Sequence, residues 1–226
     1  MLIKLPDVLQ ADELDFISNL LKQASWIDGR VTAGTQAAIV KNNQQLNESD
    51  PVLTKIRQVV LHALQQDPLF LSAALPKQIL PPFVNRYAGK TNTYGFHVDN
   101  AMRSMPDGSG LVRADVSATI FLNDPDSYDG GELIIEDMFG QHSIKLAAGS
   151  IVVYPSSSLH AVTPVTRGER IGCFMFIQSM VRDPAQRRIL FDLDMSLVKL
   201  RQQLGESEEV VKLTGVYHNL LRQWAD

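Results

Sequence analysis

The spacing of apolar side chains changes character twice along the chain, and each change marks a different kind of element. Over residues 12–24, Leu14, Ile17, Leu20 and Leu21 recur at helical spacing, and Asp12 and Glu13 sit where the helix dipole favours negative charge. The pattern predicts a first helix there. Ser49-Asp50-Pro51 then offers a cap and a first-turn proline, after which Leu53, Ile56, Val59, Val60 and Ala63 share one face of a second helix ending near Gln66. Across residues 79–178 the texture becomes short β-branched and aromatic runs broken by Pro, Gly, Asn and Asp, as at 112–122, 132–135, 143–146, 151–154 and 171–177. Strands at this spacing predict a sandwich or barrel.

Helical spacing returns after Asp183-Pro184, where Ile189, Leu190, Leu193, Leu197, Leu200 and Leu204 form one stripe. Gly205 ends that helix, Ser207 caps the next, and Val210, Val211, Val216, Tyr217, Leu220, Leu221 and Trp224 make a second stripe. The expected layout is mainly β: an N-terminal helical support segment (1–78), a β domain (79–180) and a C-terminal helical hairpin (181–226). The hairpin's two apolar stripes suit ordinary helix core and also fit packing against a second copy of the chain as a homo-oligomer.

Composition narrows the class. The 226 residues are 45% hydrophobic with a formal charge of −4, enough length for a core that needs no staple. The mild negative balance, with no basic run, leaves nucleic acid disfavoured as a partner. No stretch approaches a membrane span, the N-terminus lacks the apolar core of a signal peptide, and the single cysteine, Cys173, cannot form an internal disulfide. The expectation is a soluble, cytoplasmic protein.

Five histidines keep the candidate chemistry short. If residues 94–99 are extended, the two-residue period puts His97 and Asp99 on one face, where an imidazole and a carboxylate converge on one ion. His160, following the apolar run at 151–154 and a Pro-Ser-Ser-Ser segment, is the best third ligand. Two histidines and one carboxylate form the facial triad of non-haem iron(II) oxygenases, which leaves octahedral positions open. Arg170 follows a Thr-Arg-Gly-Glu turn that reads as a hairpin and would stand opposite Thr166, on the inward face shared with His160. Buried in a barrel, it would need an anion to satisfy it, and a bound carboxylate would do so bidentately.

These residues resemble a known family. Asn85-Arg-Tyr-Ala-Gly-Lys, Tyr94-Gly-Phe-His97-Val-Asp99, Phe121-Leu-Asn, Asp129-Gly-Gly-Glu-Leu133, Gly149-Ser and the run from His160 to Arg170 are similar, in order and spacing, to the prolyl/lysyl-hydroxylase-type iron(II)- and 2-oxoglutarate-dependent dioxygenases. The resemblance covers residues 79–178, and the flanking segments resemble the bacterial PKHD-type hydroxylases, a group associated with iron-uptake genes. It implies a double-stranded β-helix (jelly roll), iron held by His97, Asp99 and His160, and Arg170 on the distal carboxylate of 2-oxoglutarate, with Tyr87 beside the co-substrate. It also implies O2 as co-substrate and L-ascorbate as reductant. The substrate, protein side chain or small molecule, does not follow from it.

The plainer readings are a surface turn for His97-Val-Asp99, a solvated hairpin for Arg170 and core packing for Tyr87. His62, His142 and His218 read as solvated, Cys173 as a small buried hydrophobe, and Asp129-Gly-Gly-Glu132 as a hairpin turn. A non-catalytic iron or 2-oxoglutarate sensor would use the same ligands, and substrate-independent succinate formation discriminates it from the enzyme. Zinc hydrolysis at the same triad leaves Arg170 without a purpose.

Overall fold

In the computed structural model, which describes residues 1–226, β1 (Ile3–Leu5) leads into α1 (Ala11–Leu21). Then come β2 (Trp26–Asp28), α2 (Thr35–Val40), β3 (Lys41–Asn42), β4 (Gln44–Leu46), α3 (Pro51–Gln66) and α4 (Pro68–Ala74). The middle of the chain supplies β5 (Pro76–Ile79), β6 (Phe83–Ala88), β7 (Thr93–His97), β8 (Met102–Ser104), β9 (Leu111–Arg113) and β10 (Val116–Phe121). It continues with β11 (Asp129–Gly130), β12 (Leu133–Asp137), β13 (Gly140–Ile144), β14 (Ile151–Pro155), β15 (Leu159–Val162), β16 (Val165–Arg167) and β17 (Glu169–Ser179). Helices α5 (Pro184–Leu204) and α6 (Glu208–Trp224) complete the chain.

The expected helices form for the expected reasons. Asp50, Asp67 and Asp183 each accept hydrogen bonds from first-turn backbone N–H groups, and a proline follows each of them. Gly205 stops α5 at positive φ, and Ser207 caps α6 through Val210 N.

The strands build two antiparallel sheets. The major sheet runs β1-β14-β10-β17-β6-β4-β2, with β5 on the far end of β17, and the minor sheet runs β13-β12-β15-β7-β3. They face each other across a cavity lined from both sides, which makes the jelly roll. Alternation then sorts the side chains of the major sheet. Ala118, Ile120, Ile151, Val153, Cys173, Met175 and Ile177 point outward onto Ile17, Leu53, Ile56, Val60 and Leu64 of α1 and α3. Ser117, Thr119, Tyr154, Arg170 and Phe174 point into the cavity. The larger hydrophobic cluster is therefore separate from the inner face that carries the polar groups, where a smaller cluster around Tyr87, Phe121, Leu133 and Tyr154 packs between the sheets.

Two expectations about connections are corrected. Arg170 does not stand opposite Thr166: β16 pairs with β11, while Arg170 on β17 is the register partner of Tyr87 on β6. The chain leaves one ladder and joins another between them, so there is no hairpin. Likewise Asp129-Gly-Gly-Glu132 is not a hairpin turn. Gly130 and Gly131 hold φ near +70°, and a Cβ on Gly130 would lie 2.0 Å from the Pro164 carbonyl oxygen, so the pair brings β11 against β16 instead of folding it back on β12. Residues 1–78 also contribute strands to both sheets, β1, β2, β4 and most of β5 to the major one and β3 to the minor.

The C-terminal helices cover a small apolar cluster. Leu190 of α5 packs with Leu75 and Val181, and Tyr217, Leu220, Leu221 and Trp224 of α6 close over it. Arg187 Nη1 donates to the Val181 carbonyl at 2.7 Å, and Ser72 Oγ of α4 donates to Asp194 at 2.6 Å. No helix is long and apolar enough to cross a membrane.

Candidate active site

His97 ends β7 and His160 lies on its neighbour β15, where the two are register partners. Asp99 follows two residues after His97, and one ligand atom from each of the three side chains lies within 4.8 Å of the others. His97 Nε2 is 4.0 Å and His160 Nε2 3.8 Å from opposite oxygens of the Asp99 carboxylate. Both imidazoles contact a carbonyl through Nδ1, His97 with Gly95 O at 2.9 Å and His160 with Ser158 O at 3.0 Å. A carbonyl only accepts, so Nδ1 carries the hydrogen and Nε2 presents a free lone pair toward the carboxylate. Burial, reinforced by His160, pushes the His97 imidazole down to about 3, so it is a neutral donor.

Neighbouring groups fix this set. Ser117 Oγ donates to Asp99 Oδ2 at 2.7 Å; its one hydrogen being used there, Ser156 Oγ, also at 2.7 Å, donates to Ser117. Tyr94 stacks on His97 with ring centroids 3.6 Å apart, and Tyr154 meets His160 edge-on. Burial raises the pKa of both phenols, so they stay protonated beside the carboxylate. Three ordered donors on one side, with nitrogen and carboxylate ligand types and a hydrogen-bonded outer shell, suit an octahedral divalent ion with open positions.

Arg170 lies on the opposite wall of the same cavity, 2% exposed. Its guanidinium carbon is 5.1 Å from the ring centroids of both Tyr87 and Phe121, yet Nε and Nη1 have no hydrogen-bond partner in the protein. The Tyr128 hydroxyl and Asn85 Oδ1 are buried and unpaired as well. Asn85 Nδ2 donates to the Tyr87 hydroxyl at 3.3 Å. Gly172 keeps this corner open: a Cβ there would come 3.2 Å from Asn85 Oδ1 and 3.3 Å from Arg170 Nη1. An unneutralised buried cation with free donors beside an open floor fits a carboxylate.

The structure thus brings His97, Asp99, His160, Arg170 and Tyr87 into one cavity. Ser117, Ser156, Asn85, Tyr128, Lys41 and Arg103 were not anticipated. Ser117 and Thr119 did leave a signal, polar residues at period two inside the otherwise apolar strand β10. Lys41 left none. It is 5% exposed, its one side-chain hydrogen bond goes to Thr32 Oγ1, and burial pushes it down to about 8. The other candidates fall outside the site. Cys173 is buried with its thiol pushed up to about 12, His142 pairs with Asp137 on the surface, His62 and His218 are exposed, and Arg167 pairs with Asp129.

Comparison with known proteins adds the family. Residues 82–178 match the model of the 2OG-Fe(II) oxygenase superfamily and residues 184–226 that of the PKHD-type hydroxylase C-terminal domain. PKHD-type hydroxylases of Nitrosomonas europaea and Nitrosomonas eutropha are 64% and 65% identical over 226 residues, covering 100% of each chain. A prolyl-4-hydroxylase of Pseudomonas putida shares the fold, with a TM-score of 0.51 at 21% identity over 79% of this chain and 92% of that one. With sequence identity of this extent along its whole length and both models matched, the chain belongs to the PKHD-type hydroxylases of the 2OG-Fe(II) oxygenase superfamily and is an iron(II)- and 2-oxoglutarate-dependent dioxygenase.

Proposed function

We propose that His97, Asp99 and His160 are the iron ligands, that Arg170 grips the distal carboxylate of 2-oxoglutarate, and that the enzyme hydroxylates a C–H bond of a substrate held in the same cavity. One observation carries the reading: a fully buried arginine without a protein anion shares a cavity with a two-histidine, one-carboxylate cluster. Each half explains the other, since a 2-oxo acid chelates a metal at one end and presents a free carboxylate at the other.

When iron(II), 2-oxoglutarate and O2 are bound, the centre supplies the oxidation, one oxygen atom going to succinate as CO2 is lost and the other to the substrate C–H bond. The chain's own residues do the rest. The Nδ1 hydrogen bonds to Gly95 and Ser158 hold both imidazoles edge-on to the metal position, and Ser117 holds Asp99. Tyr87 and Phe121 clamp the Arg170 guanidinium between rings so that its fork is preset for a carboxylate. Gly172 leaves space for that group, and Asn85 and the Tyr87 hydroxyl border it. The aromatic walls Tyr94, Tyr154 and Phe174 limit water around the reacting atoms.

Ascorbate is the proposed reductant that restores iron(II), the proposed setting is the cytoplasm, and a link to iron homeostasis is part of the same proposal. The test is succinate and CO2 release from 2-oxoglutarate by the iron-loaded protein under air. Release that depends on both iron and oxygen supports the reading. Failure to release either product with iron and 2-oxoglutarate both bound contradicts it.

A further inference from the structure

The cavity carries more positive charge than the proposed centre uses. Its lining holds one carboxylate, Asp99, against three cations, Lys41, Arg103 and Arg170. Taking the triad and Arg170 in the roles proposed above, the 2-oxoglutarate dianion and Asp99 together balance the charges of iron(II) and Arg170. Lys41 and Arg103 then remain with no anion.

These two are placed together. Lys41 Nζ donates to Thr32 Oγ1 at 3.2 Å and Arg103 Nη2 to Thr32 O at 3.3 Å, so both heads converge on one residue of the cavity wall. Aromatic faces support them: Lys41 Nζ lies 5.3 Å from the Tyr94 ring and 5.9 Å from Phe174, and Arg103 lies 4.6 Å from Phe176. The field of Asp99 reaches both heads and that of Asp28 reaches Lys41, but Asp99 is committed to the proposed metal set and Asp28 is itself held by Arg30 at 2.8 Å, and neither forms an ion pair with Lys41 or Arg103. A lysine this buried with only a hydroxyl partner is unfavourable in the empty cavity and becomes favourable once an anion arrives. At about 8 its pKa leaves it charged at neutral pH. Lys41 and Arg103 line the same cavity as the triad and Arg170, so an anion held by these two cations shares one space with the metal position.

We infer that the substrate is an acid, presenting a carboxylate to Lys41 and Arg103 while the carbon to be hydroxylated lies at the triad. Lys41 and Arg103 are then the residues that set substrate class. The carboxylate belongs either to a free small acid or to an acidic side chain of a peptide.

The test is calorimetric titration of the full protein loaded with manganese(II) and saturating 2-oxoglutarate, oxygen excluded. The probes are two acid and neutral pairs: benzoate against benzamide, and an N-acetyl aspartyl amide against its asparaginyl isostere. At least one acid should bind at least ~10-fold more tightly than its neutral partner, and the advantage should shrink to about twofold in the Lys41→Met, Arg103→Gln double variant. The first pair showing it points to a free acid, the second to a peptide side chain. Lys41→Arg should keep most of the advantage. If the double variant fails to bind manganese, Arg103→Gln alone, at a half-buried site, should still cut the advantage by ~3-fold or more. Acids that bind no better than their neutral partners, or an advantage untouched by these substitutions, overturn the inference. Failure of 2-oxoglutarate itself to bind overturns the proposed function, and this inference with it.

Discussion

His97 and His160 are register partners on β7 and β15, with ring centroids 4.2 Å apart, and each imidazole donates Nδ1–H to the carbonyl two residues before it. The same local bond on both strands fixes the same tautomer twice, so two free Nε2 lone pairs converge beside Asp99.

Replacing either histidine with alanine should abolish manganese(II) binding while far-UV circular dichroism stays native, because the core cluster lies on the other face of the major sheet. Ser117→Ala should be milder, weakening metal affinity ~10–100-fold through loss of the bond that orients Asp99. Calorimetry with manganese checks all three. Wild-type affinity in either histidine variant would remove that residue from the metal set.

How far the sequence alone reached follows from what each element rests on. The long helices α3, α5 and α6 and the triad were legible, since helical stripes, Asp-Pro caps and a His-x-Asp pair are local patterns. Strands β1 to β4 were not, being two or three residues long and existing only because they pair with distant strands. Arg170 was placed in the right cavity by the wrong connection: its partner is Tyr87, a long-range pairing that spacing within 160–170 cannot reveal. Lys41 and Arg103 were invisible for the same reason.

His97 also predicts a pH dependence for the metal-free protein. Burial, with His160 second, lowers its pKa from 6.5 to about 3. Between those values the unfolded chain takes up a proton that the native state refuses, so stability is fully present above the unfolded value and falls as pH drops through that window. Urea unfolding between about pH 7.5 and about 4.5 should show this decline, and His97→Gln should reduce its slope. A variant slope equal to that of the wild type contradicts the assignment.

Gly172→Ala should act on the co-substrate corner alone. The new methyl would press on Asn85 Oδ1 and Arg170 Nη1, so 2-oxoglutarate affinity should fall by ~10-fold while manganese affinity is unchanged. Unchanged 2-oxoglutarate affinity would mean that the co-substrate does not occupy this corner.

The C-terminal helices should be needed for a soluble monomer or oligomer of normal size. Deleting the chain after Val181 uncovers Leu75 and Val181 and removes the Ser72 to Asp194 bond. Sedimentation should show aggregation or a shifted oligomeric state. A soluble truncated chain with an unchanged profile would show that the helices are dispensable to the core.

The central claim, one metal and one 2-oxo acid held between the triad and Arg170, is tested most directly by visible absorption with iron(II) and oxygen excluded, because chelation of a 2-oxo acid to iron(II) gives a charge-transfer band. Titrating the wild type with 2-oxoglutarate should raise that band to saturation. Arg170→Ala should give the same band with half-saturation at least ~10-fold higher, Arg170→Lys should fall between, and His160→Ala should give no band. A wild type that develops no band, or an Arg170→Ala protein that titrates like the wild type, would contradict the account.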